Sequence, residues 1–128
     1  MSNLIELNAS YSSGIDQDGI KNLNLIKLNV WNNPKIKDVS LMSNLKELDA
    51  CGWDCGIDQN GIKNLNLIKL YVFNNPKIKD VSWMDNLREL DASYDCGIDQ
   101  NGIKNLNLVE LRANGNSKIK RRKLDEKI

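Results

Sequence analysis

A chain of 128 residues is long enough for one domain that buries roughly two thirds of the surface its unfolded form exposes. Lys and Arg number 18 against 17 Asp and Glu, and a net charge of +1 supplies no broad field for nucleic acid or a membrane surface; no stretch approaches the ~20 apolar residues of a membrane span. With no histidine, Ser-His-Asp and Cys-His catalysis and any histidine-bearing metal site are excluded.

The chain opens with MSNLIELNAS, which has neither a basic nor an apolar leader region. Its three cysteines, without a secretion signal, read as thiols, so a reducing, cytoplasmic location is expected. The first element is LIELNA, from Leu4 to Ala9. Its apolar residues alternate with polar ones, the signature of a strand with one buried face. The pattern L-x-x-L-x-(V/A) then returns at Leu25, Leu45, Leu67, Leu87 and Leu108, every 20–22 residues.

Two kinds of connection alternate between these strands. The first, GIDQDGIKNLN at 14–24, recurs almost unchanged at 56–66 and 97–107; the second, NNPKIKDVSLMSN at 32–44, recurs at 74–86. A single globular core gives every segment a different environment, whereas repeated segments imply repeated environments. Such a chain reads as a solenoid, its parallel strands stacked ~4.8 Å apart and its crossovers right-handed. The return paths carry their own inward residues, Ile36, Val39 and Met42 in one kind and Ile57, Ile62 and Leu65 in the other. Their brevity suits 3-10 turns or short helices. Asn33 and Asn75, each followed by proline, and Gly14, Gly56 and Gly97 are expected to form the turns.

Near the C-terminus, Asn116, Lys118, Ile119 and Lys120 match Asn33, Lys35, Ile36 and Lys37, after which Arg122 and Asp125 replace the inward Val39 and Met42. Residues 116–128 are therefore expected to form a polar cap on a single domain spanning 1–128. The same basic run also has the composition of a nuclear signal. No comparable device precedes Leu4, so an open sheet edge is expected there, and open edges invite pairing.

The segments NPKIKDVSLMSNLKELDA (33–50) and NPKIKDVSWMDNLRELDA (75–92) resemble leucine-rich repeats of the internalin-like pattern. In the first, Asn33, Ile36, Asp38, Val39, Met42, Leu45, Leu48 and Ala50 take the family's positions; the GIDQ halves lack its Asp-Ile pair. The richness in Asn, Ile and Lys is similar to repeat arrays of amoebae and of the large DNA viruses that infect them. The resemblance implies an α/β solenoid with six short parallel strands on a concave face and turns, 3-10 or short helices on a convex one. An extended concave surface is what solenoids characteristically offer to a partner.

Comparing the repeats with one another shows where they differ. Between 24–63 and 66–104 the changes include Asn29/Tyr71, Trp31/Phe73, Cys51/Ser93 and Gly52-Trp53 against Tyr94, mostly at outward strand positions or just beyond. Three stripes should cross the strands. The first is Glu6, Lys27, Glu47, Lys69, Glu89, Glu110, whose alternating sign suggests structural pairing. The second is Asn8, Asn29, Asp49, Tyr71, Asp91, Arg112, and the third Ser10, Trp31, Cys51, Phe73, Ser93, Asn114, with Tyr11, Trp53 and Tyr94 at the strand exits. Only 5% of the chain is aromatic, so placing Trp31, Tyr71 and Phe73 outward points to anchors for a partner. The candidate partner-binding residues are thus Tyr11, Asn29, Trp31, Asp49, Trp53, Tyr71, Phe73, Asp91, Tyr94 and Arg112.

Other chemistry is not expected. Asp49 and Asp91, roughly 10 Å apart on alternate strands, lack the walled pocket that makes a carboxylate pair catalytic. Cys55 and Cys96, similarly spaced, exceed disulfide reach, and Cys51 with Cys55 lacks further ligands for zinc. DQDG and DQNG share letters with calcium loops but not their spacing or terminal Glu. The expected function is a non-catalytic protein-binding module without metal, cofactor, nucleic-acid or membrane partner. The alternatives are a self-assembling structural module that forms homo-oligomers through open solenoid ends, and a designed or consensus scaffold.

Overall fold

The structure, a computed structural model, describes residues 5–11 and 14–120. Leu4, Arg122, Asp125 and most of the expected C-terminal cap lie outside the described residues. Six parallel strands stack in sequence order into one sheet: β1 (Glu6–Asn8), β2 (Lys27–Asn29), β3 (Glu47–Asp49), β4 (Lys69–Tyr71), β5 (Glu89–Asp91) and β6 (Glu110–Arg112). Every neighbouring pair is parallel and in the register expected from the repeats, Leu28 beside Leu48 and Leu70 beside Leu90. The returns hold a four-residue helix, α1 (Gln17–Ile20), and 3-10 turns at Asn60–Ile62 and Asn101–Ile103. The protein is a solenoid of stacked coils with few helices.

Each strand is three residues long rather than the six of its sequence motif, because the backbone pinches at the entry. There the N–H groups of two successive residues converge on one carbonyl: Ile26 and Lys27 on Ile5, Lys46 and Glu47 on Ile26, Ile68 and Lys69 on Lys46. Coil-to-coil bonding continues past the strand exit, from Val30 N–H to the Asp49 carbonyl and from Asn32 N–H to that of Cys51. The chain then turns through a left-handed residue in every coil: Tyr11, Asn32, Gly52, Asn74, Tyr94 and Gly115, with φ between 53° and 103°. Asn and Gly suit this conformation; Tyr11 and Tyr94 adopt it at a cost of about 1 kcal/mol each.

Leu28, Leu48, Leu70, Leu90 and Leu111 form one buried column, and Ile36, Ile57, Ile78, Ile98 and Ile119 another on the return path. No single coil encloses a core, so the stack supplies it. Asparagine ties the coils together. Asn75, fully buried, donates to the carbonyls of Ala50 (2.9 Å) and Ile57 (3.1 Å) in the preceding coil and accepts from Lys77 N–H (3.0 Å). Asn33 and Asn116 repeat the arrangement. Each bond contributes about 1 kcal/mol net, but an unpaired buried partner costs more than that.

The recurring word GIDQxG has a task for each polar letter. Asp58 Oδ1 accepts the Gly61 N–H at 2.9 Å, and Asp16 and Asp99 do the same for Gly19 and Gly102. Gln59 reaches forward to the next coil, donating to the Asp80 carbonyl (2.7 Å) while its oxygen accepts from Lys79 and Asp80 N–H. Gln17 clasps Lys37 and Asp38 identically. Of the glycines expected to form turns, Gly14 takes a positive φ, whereas Gly56 and Gly97 do not. They are glycine because a Cβ on Gly56 would stand 2.6 Å from the Ile36 carbonyl, and one on Gly97 2.4 Å from that of Pro76.

Candidate functional site

With Leu28 and its neighbours buried, the residues flanking them on each strand must face outward, and the register sets them in three columns. In the first column Lys27 lies between Glu6 (3.9 Å) and Glu47 (3.6 Å), and Lys69 pairs with Glu89 (3.6 Å). The alternation breaks at β6, where Glu110 lies beside Glu89 and turns to Arg112 on its own strand at 3.1 Å. These pairs are substantially exposed, and such surface pairs are each worth about 1 kcal/mol or less.

In the second column, short polar side chains brace the strand exit. Asn8 Oδ1 accepts the Ser10 N–H, Asn29 that of Trp31, Asp49 that of Cys51 and Asp91 that of Ser93, all at 3.0–3.2 Å. Tyr71 stands between Asp49 and Asp91 in the register and donates its hydroxyl to Glu89 at 3.3 Å. Burial, with the Glu89 charge adding to it, pushes the Tyr71 phenol up to about 12. Burial also raises the Asp49 carboxyl above its ordinary value against the lowering effect of hydrogen bonds from the Cys51 thiol and N–H, with a smaller raising contribution from the Asp91 charge.

The third column holds the aromatic residues. Trp31 meets Phe73 edge to face, centroids 5.6 Å apart, and Tyr11 joins from the other side at 5.4 Å. Cys51 belongs to this column but is fully buried and stands apart from the aliphatic core; Ser93 is likewise buried, its hydroxyl accepting the Asn114 N–H. All three cysteines are free and buried. Burial pushes Cys55 and Cys96 up to about 11, and burial reinforced by Asp49 raises Cys51 further. None is poised as a nucleophile.

Two shallow grooves run over this face. The larger, about 470 Å³, spans β1 to β4 and is walled by Glu6, Asn29, Glu47, Asp49 and Tyr71; the smaller, about 170 Å³, lies between Tyr71, Glu89, Asp91, Glu110 and Arg112. Tyr71 is common to both. The structure thus brings Asn29, Asp49, Tyr71, Asp91 and Arg112 into one column and Tyr11, Trp31 and Phe73 into one cluster beside it. Trp53 and Tyr94, 61% and 52% exposed, sit at the exit rim and stack on no other ring among the described residues. The glutamates of the first column also line the grooves, which their sign alternation concealed. Among the described residues no group of three or more Cys, Asp or Glu is arranged to hold a metal, and no helix is long and apolar enough to cross a membrane.

No protein-family model matches the chain, and neither a curated protein nor a solved structure matches it.

Proposed function

We propose that the protein is a non-catalytic binding module of the leucine-rich-repeat type, with the outward strand face as a concave site for a protein partner. The repeat type is supported by the L-x-x-L-x-(V/A) strands of a parallel stack and by the buried asparagines that follow them. The observation that carries the binding role is the joining of Tyr11, Trp31 and Phe73 into one outward cluster beside the larger groove. These rings lie outside the aliphatic core, and large aromatics on an outward face are the residues that anchor protein interfaces. Three buried, unpaired cysteines fit a reducing, cytoplasmic setting.

The test compares the immobilised protein with its Trp31→Ala, Phe73→Ala double variant in a pull-down, after circular dichroism shows both folded. Loss of specific partners from the variant supports the site; identical sets of captured proteins reject it.

A second reading, self-assembly through the solenoid ends, has its own observation. Leu7, Ile15 and Leu23 are half-buried where Leu48, Ile57 and Leu65 are fully buried, and a Cβ on Gly14 would meet nothing within 4 Å. Sedimentation from micromolar to near-millimolar protein decides it: a monomer throughout excludes this reading, and a discrete larger species supports it.

A further inference from the structure

The second column contains two charges that the fold does not require. Asn8 and Asn29 brace their strand exits with neutral amides, in the same bond and over the same distance that Asp49 and Asp91 use. The strand-exit brace therefore needs only an amide, and carboxylates at 49 and 91 bring to the face a charge that this bond does not call for. Among the described residues neither has a cation within ion-pair distance. The surroundings do not offset them either. The first column sets four carboxylates against two lysines, and Arg112, the cation of the second, is occupied by Glu110. The face as a whole is acidic on a chain whose net charge is +1.

We propose that the occupant of this face is a basic, extended polypeptide segment whose Lys or Arg side chains enter the grooves on either side of Tyr71, against Asp49 and Asp91. The inference rests on the binding role proposed above and specifies its partner. Tyr71 walls both grooves with an aromatic ring beside carboxylates, a combination that attracts a cation both by charge and through the ring's π-system. The dimensions agree with an extended chain. Asp49 and Asp91 are two strands apart, roughly 9.6 Å. A polyproline-like segment, rising about 3.1 Å per residue with three residues per turn, repeats a side chain on one face every ~9.3 Å. Cationic residues three apart would then reach both carboxylates. Anionic partners meet the opposite condition, and phosphate-bearing ligands are repelled by the same charges.

The probe is a random dodecapeptide library displayed on phage, selected on the wild-type protein. Binding of the recovered peptides is then measured to three double variants: Asp49→Asn with Asp91→Asn, Trp31→Ala with Phe73→Ala, and Asp18→Asn with Asp85→Asn. The last pair removes the same charge from exposed positions that line neither groove. The expected result is peptides rich in Lys or Arg that bind about tenfold or more weakly to the Asp49, Asp91 variant and within about twofold of wild type to the Asp18, Asp85 control. Basic peptides that bind the Asp49, Asp91 variant as well as wild type overturn the inference. Neutral or acidic peptides that need Trp31 and Phe73 also overturn it, while leaving the binding face intact. Peptides indifferent to all three variants, or no selected peptides at all, remove both the inference and the reading beneath it.

Discussion

Trp31 and Phe73 leave the sheet two strands apart, yet their rings meet at 5.6 Å and 78°. The residue between them in the register is Cys51, fully buried although it belongs to the outward column. The aromatic pair, which meets across its position, is its expected cover, and the pair's own contact adds about 0.5–1.5 kcal/mol beyond the area it buries. Removing one ring should open the thiol. In native buffer, Phe73→Ala is expected to react with a small disulfide reagent at one cysteine, identified by mass spectrometry as Cys51, about tenfold or more faster than wild type. Cys55 and Cys96 should stay protected until the protein unfolds. An unchanged rate at Cys51 would show that something other than the rings shields it.

Two glycines at equivalent places in the repeat should respond oppositely to the same substitution. A Cβ on Gly61 would lie 2.2 Å from the Lys37 carbonyl, a backbone atom of the preceding coil that cannot move without parting the stack. On Gly19 the nearest atoms are side-chain atoms of Ile15 and Asp16 at 3.5 and 3.6 Å, ordinary contact distances. Gly61→Ala is therefore expected to lose about 3 kcal/mol or more. Gly19→Ala, within α1, is expected to be neutral or to gain about 0.4–1 kcal/mol by restricting the unfolded chain. Urea midpoints of the two variants check this, and similar losses in both would contradict the packing.

The same contrast shows how far the sequence could be read. Register and columns were legible because a period of 20–22 residues leaves a single way to align six copies of L-x-x-L-x-(V/A), and that alignment is the observed pairing. Inward and outward residues followed from alternation. What alternation cannot convey is contact between side chains from different coils. The clasp of Gln59 on Lys79 and Asp80 joins residues about twenty apart that share no local motif. Gly56 looked like a turn residue, because glycine carries the same letter whether it supplies a positive φ or admits a neighbouring carbonyl. Alternation puts Cys51 in the outward column, but its full burial, with Trp31 and Phe73 meeting across its position, is contained in no one-dimensional pattern.

Leu41 and Trp83 occupy the same repeat position with different success. Trp83 donates its indole N–H to the Leu65 carbonyl at 2.8 Å and is 38% exposed, while Leu41 is 89% exposed. Beside Leu41 lies a hollow of about 110 Å³ lined by Gln17, Lys21, Leu23 and Val39, where the second repeat holds its indole. Leu41→Trp should fill it and bond to the carbonyl of Leu23, the counterpart of Leu65. The expected gain is about 1 kcal/mol, from one hydrogen bond and the apolar area covered. Trp83→Leu should lose a similar amount. Thermal midpoints measure both, and a Leu41→Trp variant no more stable than wild type would mean the first repeat cannot seat the ring.

Asp49 links stability to the acidity of the face. Its carboxyl is held above its ordinary value of 3.8 chiefly by burial, so the folded protein holds this proton more tightly than the unfolded chain does. The resulting contribution is fully present below the unfolded value and is lost as pH rises through the raised folded value. At neutral pH the charged side chain therefore lowers stability. Asn29 shows that an amide can brace the same strand exit. Asp49→Asn is accordingly expected to be more stable than wild type at pH 7, by an amount that shrinks on acidification and disappears below about pH 3.8, where Asp49 is protonated in both states. Urea midpoints at pH 3, 5 and 7 give the trend. A gain independent of pH would assign the effect to something other than the buried charge, and a loss at pH 7 would mean the carboxylate makes a contact that Asn29 does not. The expected gain would also distinguish this residue from the buried asparagines: the fold is better off without the charge, and whatever retains it must act on the face.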